Sequence, residues 1–199
     1  NGIAFDVSGY TVTGGTLTLT GDAVVHSDIS DWTTVESILA GTAGMTKTGS
    51  GDVVLRAVST YTGNTSIQEG YLILGSGNDR LPVGTTVVLG NDTTSGVLSL
   101  GSGTTWREQT LSGLVTNGTG SENRVVGAGT ATTYSTLTVD IAGTNVFDGI
   151  LGGSSGTENQ LNLTKTGEGT LTLTRGNTYV GATTISDGTL LIQGDGRIA

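Results

Sequence analysis

The chain has no cysteine, one proline and few aromatic residues, which make up 5% of its 199 positions. Without cysteine no disulfide framework can staple it, and a single histidine cannot build the cluster that a zinc site needs. With so little proline and no Gly-X-Y period, its 35 glycines cannot form a collagen helix. Basic charge is scarce too: 8 Lys and Arg against 17 Asp and Glu leave a net charge of −9. That balance argues against binding the nucleic-acid backbone or an anionic membrane surface, since both recruit Lys and Arg. No apolar run approaches the roughly 18 residues of a spanning helix, so membrane insertion by this stretch is not expected. No signal peptide is visible. Absence of Cys fits secretion by a route that disfavours disulfides.

What the chain does contain is threonine, glycine and short aliphatic runs. Thr170 to Thr174 alternates Thr and Leu, the period-two pattern of a half-buried strand, with Leu171 and Leu173 on one face. Gly176-Asn177 breaks the run, a short strand follows to Ile185, Asp187-Gly188 breaks again, and Leu190 and Ile192 share the face of a third strand. Glycine sits between regular strands rather than in a polar tract, which excludes disorder. The same unit occurs earlier: Met45–Leu74 aligns with Leu163–Ile192 without a gap at an offset of 118 residues. Lys47/Lys165, Gly49/Gly167, Leu55/Leu173, Tyr61/Tyr179, Gly70/Gly188 and Leu72/Leu190 are identical pairs. Upstream, Thr16–Leu19 echoes Thr136–Val139, and Ile38–Gly41 echoes Ile150–Gly153. Self-similarity of this kind marks a solenoid.

The remaining chain repeats strand-like runs about every dozen residues: Ile3–Val7, Tyr10–Val12, Val87–Leu89, Val97–Leu100, Leu111–Val115, Val125–Val126 and Leu137–Ile141. Val24–Leu39 has some helical spacing, but Thr33-Thr34-Val35 is β-branched and predicts strand. Ser154–Gln160 is the longest polar connection, and Asn117-Gly118 is the main hairpin candidate. The fold expected is all-β: a right-handed parallel β-helix (β-solenoid) of about eight to ten coils. Residues 1–199 are read as a single β-helix segment with two super-repeats, about 1–82 and 83–199, belonging to a longer chain. A single coil buries too few aliphatics to offset the entropy of ordering it. Stacking must make up the difference.

At Leu163-Thr-Lys-Thr-Gly-x-Gly-Thr-Leu-Thr-Leu-Thr-x-x-Asn-Thr-Tyr-x-Gly-x-Thr-Thr-Ile-x-x-Gly-Thr-Leu190 the chain resembles the passenger-associated transport repeat of bacterial autotransporters. The first copy departs at Asp52-Val53-Val54 and at Val58-Ser59. The resemblance implies a parallel β-helix outside the bacterial cell or on its surface, in a large secreted protein. It implies no activity, since in that family the repeat is linked to export and folding of the stem.

Chemistry is thin. His26-Ser27-Asp28 lacks the G-x-S-x-G elbow of a triad hydrolase and reads as a solvated surface histidine. Acid pairs for glycoside hydrolysis are Asp22/Asp28/Asp31, Asp187/Asp195 and Glu158/Glu168, most of which suit corner residues better. The β-roll calcium nonapeptide does not recur, and Gly194-Asp195-Gly196 alone is a weak match to it. Lys47 and Lys165 are expected to lay their stems along the coil edge and meet an acid such as Asp52 or Glu168. Trp32, Trp106 and the five Tyr offer a scattered sugar-stacking surface. Asn64, Asn91, Asn117 and Asn162 fit the glycosylation pattern by chance. No catalytic, cofactor-binding or metal residue is assigned, and no cofactor.

The expected function is a non-enzymatic extracellular stem or filament module. A carbohydrate-binding adhesin on the same scaffold is the alternative, and a β-helix polysaccharide hydrolase or lyase is third. Expected partners are neighbouring coils of the same polypeptide or of other copies, and host or matrix glycans.

Overall fold

Period-two alternation of aliphatic and Thr residues, interrupted by glycine every few residues, produces short strands that turn and stack. The computed structural model describes residues 2–7, 9–28 and 32–198. Asp31, one of the candidate acids, lies outside the described residues. The described residues form strands, turns and bends, wound into a parallel β-solenoid of about eight turns.

Each turn visits three faces. The first face carries Gly2–Phe5, Ala23–Ser27, Met45–Thr48, Thr65–Ile67, Thr86–Leu89 and Gly113–Thr116 in hydrogen-bonded order. It continues through Thr144–Phe147, Thr170–Leu173 and Thr189–Ile192, joined by a bond from Leu114 N–H to Asn145 Oδ1 of 3.1 Å. The second face runs Thr11–Val12, Thr33–Val35, Asp52–Leu55, Gly70–Leu74, Gly96–Ser99, Arg124–Val126 and Ile150–Leu151. The third begins with Thr16–Leu19 beside Ile38–Gly41 and ends with Glu108–Leu111, Thr133–Asp140, Leu161–Thr166 and Thr183–Ile185. Between those groups residues 59–62 and 79–82 leave the strand conformation. There Thr60 N–H still reaches Leu39 O at 2.7 Å. Gln109 takes over the ladder: its Oε1 accepts from Leu81 N–H at 3.0 Å and its Nε2 donates to Leu81 O at 3.1 Å. A buried side-chain amide thus replaces a missing rung, leaving no backbone polar group of Leu81 unpaired.

The core is a set of columns along the axis. Thr33, Val53, Leu72, Leu98, Val125 and Leu151 lie in register on six successive rungs. Each is fully buried. Leu55 and Leu173, which the repeat places inward, are 1% and 0% exposed. Aliphatic side chains therefore cover one another from rung to rung, and the faces need no second layer.

Antiparallel pairing between strands is confined, among the described residues, to two excursions. These are the hairpin Gly101–Ser102 with Thr105–Trp106, and Gly129–Thr130 against the start of Thr133–Asp140. Asn117-Gly118, the expected hairpin, is instead a corner: Asn117 N–H donates to Leu89 O on the adjacent rung, and Gly118 takes φ +75° to turn the chain onto the second face. In the stretch from Val24 to Leu39 the described residues contribute the strands Ala23–Ser27, Thr33–Val35 and Ile38–Gly41, as the β-branched centre predicts.

The two repeats are related by a shift that the sequence did not reveal. In the first copy Met45–Thr48 lies on the first face and Asp52–Leu55 on the second. In the second copy the equivalent residues lie in Leu161–Thr166 on the third face and Thr170–Leu173 on the first. The second copy is turned by one face about the axis. This also sorts the upstream echoes. Leu39 O accepts from Thr60 N–H at 2.7 Å and Leu151 O from Thr178 N–H at 2.9 Å, so these two leucines hold equivalent places. The echo of Thr16–Leu19 by Thr136–Val139 is a correction: the rung above Met45–Thr48 is Ala23–Ser27, and that is the counterpart of Thr133–Asp140.

Candidate functional site

The repeat signature resolves into one local device. Lys47 alternates with Thr46 and Thr48, so the pleat turns its side chain inward, between Val25 above and Ile67 below. Lys165 sits between Val139 above and Ile185 below, the same residue types. Both lysines are fully buried. Lys47 Nζ donates to Thr48 O at 3.2 Å, to Glu69 O at 2.9 Å and to Gly49 O. Lys165 Nζ donates to Thr166 O at 2.6 Å, Gly167 O at 2.7 Å and Asp187 O at 3.4 Å. Each ammonium ties its own corner to the corner of the next rung through carbonyl oxygens.

The expected partnership with Asp52 or Glu168 is therefore corrected. No Lys–carboxylate pair within 4.0 Å occurs among the described residues; the ion pairs there are His26–Asp28, Arg56–Glu36 and Arg124–Glu122. The reason is directional: an inward lysine meets the carbonyls of the turn that ends its strand, whereas Asp52 lies half-buried on the outer side of its strand and Glu168 is exposed. Burial pulls the Lys47 ammonium down to about 8, against the opposing fields of Asp52, Glu69 and Asp28. Burial raises the Asp52 carboxyl, and Lys47 partly offsets it.

Glycine at the far corner is obligatory. Gly70 and Gly188 both adopt φ +67°, and a Cβ on Gly70 would lie 2.7 Å from Lys47 Nζ and 2.5 Å from Gly51 O. Tyr61 and Tyr179 add a second tie within each repeat, their hydroxyls meeting Thr65 Oγ1 at 2.5 Å and Thr183 Oγ1 at 2.6 Å.

The histidine is less free than its sequence suggests. His26 Nδ1 lies 2.9 Å from Thr48 Oγ1 and Nε2 lies 3.1 Å from Asp28 Oδ2, while Asp28 Oδ1 accepts from Ser50 N–H at 3.1 Å. His26 and Asp28 clasp the Thr48–Ser50 corner from outside. Ser27 Oγ is buried and has no hydrogen-bond partner, so no nucleophile–base contact exists here.

Those acids named from sequence that are described are exposed or engaged elsewhere. Asp22 is exposed, and Asp187 Oδ1 caps its own turn through Gly188 N–H at 2.8 Å. Asp195 shares a groove with Asp148 and Arg175 rather than with Asp187. Glu158 is paired in space with Glu122, not with Glu168: both line a groove on the second face with Tyr71 and Arg124. Glu158 Oε2 accepts from Ser154 N–H at 2.8 Å and Ser155 N–H at 3.0 Å, closing the polar connection on itself. The hydrogen bond and charge of Arg124 hold Glu122 below the usual carboxylate range. Burial, with Glu158 and Asp52 nearby, raises the Tyr71 phenol. Two carboxylates thus meet on one face, but each is already engaged. Among the described residues no group of three or more His, Cys, Asp and Glu is arranged to hold a metal ion.

A second groove lies further along that face. Trp32, Arg56 and Arg107 line it, over a floor of Val54 and Ile73. Sequence reading grouped Trp32 with Trp106 and the tyrosines, and missed the arginines. The coil-to-coil spacing varies with each excursion, so it does not show which distant side chains become neighbours.

A family model described as Passenger-associated-transport-repeat matches residues 45–74 and 163–192. The chain is 38% identical over 74 residues, 37% of its length, to the Adhesin BmaC autotransporter of Brucella suis biovar 1 (strain 1330). That stretch is 2% of the relative's length, so the chain covers a small fraction of the protein it matches. No solved structure matches significantly. Residues 45–74 and 163–192 are thus two copies of the passenger-associated transport repeat, each built on an inward lysine with the same residue types above and below.

Proposed function

We propose that this segment is a non-enzymatic stem module of a secreted or cell-surface protein. The observation that carries the reading is the seven-stranded parallel ladder that runs unbroken along the second face. Inward columns run through successive rungs, and each transport repeat locks two rungs together with a buried ammonium. Such a stack is a rod of about 40 Å, eight steps of ~4.8 Å. A rod of this kind spaces whatever it carries from whatever anchors it. The engaged state of Glu122, Glu158, Asp28 and Asp187 supports the absence of catalysis. The same reading takes neighbouring coils, of this polypeptide or another copy, as the cover for the apolar side chains of Ile185 and Ile192, which are 52% and 36% exposed.

Two measurements test it. Antibody labelling of intact source cells should reach the segment; labelling only after lysis would overturn the surface location. Incubation of the purified chain with a panel of polysaccharides should release no new chain ends, and turnover would overturn the non-enzymatic reading.

A second reading, a carbohydrate-binding adhesin, is favoured by one specific feature. The groove of Trp32, Arg56 and Arg107 has the aromatic and polar lining of a sugar site. The relative whose printed name is an adhesin supports the same reading.

A further inference from the structure

We propose that the groove bounded by Trp32, Arg56 and Arg107 binds a polysaccharide strand containing uronic acid, a conclusion that rests on the carbohydrate-binding reading above. The groove crosses several rungs. Trp32 precedes the second-face strand Thr33–Val35, Arg56 follows Asp52–Leu55, Ser76 follows Gly70–Leu74, Thr105 comes from the hairpin beyond Gly96–Ser99, and Arg107 directly follows that hairpin. From Trp32 to the hairpin is three rung steps, ~14 Å at ~4.8 Å each. That length suits an extended run of sugar rings rather than a single ring.

The chemistry of the lining selects the ligand. Trp32 is 48% exposed, presenting an aromatic face on which the C–H side of a pyranose can stack. The floor is apolar and dry, with Val54 and Ile73 at 3% and 6% exposure. Arg56 is shared with Glu36 at 3.0 Å. Arg107 has no carboxylate within 4.0 Å among the described residues: Nη1 donates to its neighbour's carbonyl, Trp106 O, at 2.7 Å, and Nε is buried without a hydrogen-bond partner. A buried donor on a guanidinium left unmatched is costly unless an acceptor arrives. In a chain of net charge −9, a wall carrying two guanidiniums and one paired acid stands out from the rest of the surface. A planar guanidinium matches a carboxylate in two-point geometry, so the sugar that fits is one bearing a carboxylate. Ser76, a non-glycine residue at φ +56°, holds the remaining edge in a fixed left-handed turn.

The test is calorimetric titration of the intact chain with three probes: a short oligogalacturonate, a neutral cello-oligosaccharide and an oligoglutamate peptide. Oligogalacturonate should bind, with affinity falling as salt rises. Trp32→Ala and Arg107→Gln should each weaken binding by about tenfold to a hundredfold, the loss expected for a stacked aromatic ring and for a charge-assisted contact respectively. Arg107→Lys should recover only part, because it keeps charge without the fork. Arg175→Gln, outside the groove, should change nothing. Unchanged circular dichroism shows that a variant remains folded. Equal binding of the neutral sugar would overturn the acidic specificity and leave the adhesin reading standing. Binding of the peptide alone would overturn the choice of a saccharide. Failure of both sugars to bind would overturn the groove proposal and the adhesin reading together, without touching the stem reading.

Discussion

Replacing Lys47 by methionine asks whether the buried ammonium stabilises the coil or merely survives in it. Methionine keeps the stem length in the column between Val25 and Ile67 and deletes the donor. Three carbonyl oxygens then lose a partner: Gly49 O in a buried contact, Thr48 O and Glu69 O in partly buried ones. A buried acceptor left unpaired costs about 1–3 kcal/mol. Taking ~2–3 kcal/mol for Gly49 O and ~0.5–1 kcal/mol for each of the others, which water can reach, gives a loss of about 3–5 kcal/mol. Working against this is the desolvation of the charge, which methionine does not suffer and which makes many buried ion sites dispensable.

Chemical denaturation decides between them. A midpoint lowered by the equivalent of ~3–5 kcal/mol, with unchanged slope, supports the carbonyl cage. A Lys47→Met chain as stable as the parent, or more so, refutes the reasoning: the apolar column alone would then hold the rungs. Lys165→Met should cost less. Its bond to the next rung, Asp187 O, is 3.4 Å long, and the rung below it is exposed. Because stacked coils open locally, protease nicking near each corner should be read alongside the global transition.

Gly70→Ala should destabilise by about 2–4 kcal/mol, since φ +67° and a contact of 2.7 Å to Lys47 Nζ both oppose a Cβ; an equilibrium unfolding midpoint equal to the parent's would contradict the corner geometry. The pH dependence has a definite sign: the folded Lys47 value of about 8 lies below the 10.5 of free lysine, so between them the unfolded chain holds more proton and stability rises with pH. The parent should gain on Lys47→Met across that window by at most about 1.4 kcal/mol per pH unit, whereas burial raises Tyr61, Tyr71 and Tyr179 and their contribution falls only above about pH 10; a falling difference below pH 10 would contradict it. Excising residues 45–162, so that Leu163 follows Gly44 and Lys165 takes the place of Lys47, should give a shorter folded solenoid with Lys165 beneath Val25, because Val25 already covers a lysine in this position. Loss of β circular dichroism and of cooperative melting would count against neighbour-only specification.

Class and architecture were legible because they rest on local periodicity. The alternation at Thr170–Leu173 and the gapless repeat of Met45–Leu74 by Leu163–Ile192 both appear in the structure as inward leucines on parallel rungs. The site was not legible in the same way. Glu122 meets Glu158, and Trp32 meets Arg107, because excursions such as Gly101–Trp106 change the length of a coil without changing the register of the next. Spacing in sequence therefore carries no constant conversion to distance across the outer surface. Lys47 was misjudged for a different reason. Its charge suggested solvent and an acid partner, whereas its place in the Met45–Thr48 alternation had already assigned it to the interior.

That last misreading shows what the repeat specifies. A carboxylate partner would have required a particular residue on a particular face. Main-chain carbonyls are present at every corner, so a lysine followed by Thr-Gly can lock any corner to the next, provided glycine stands where the second corner approaches. This is why two nearly identical repeats sit on different faces of one solenoid. Lys47 closes the corner between the first and second faces, and Lys165 the corner between the third and the first. Each needs only a valine above, an isoleucine below and the backbone of its successor. A motif that depends on its neighbours alone can be placed at any height of a long stack. The outer faces, which take no part in the lock, remain free to differ from one rung to the next, and it is there that the groove of Trp32, Arg56 and Arg107 is found.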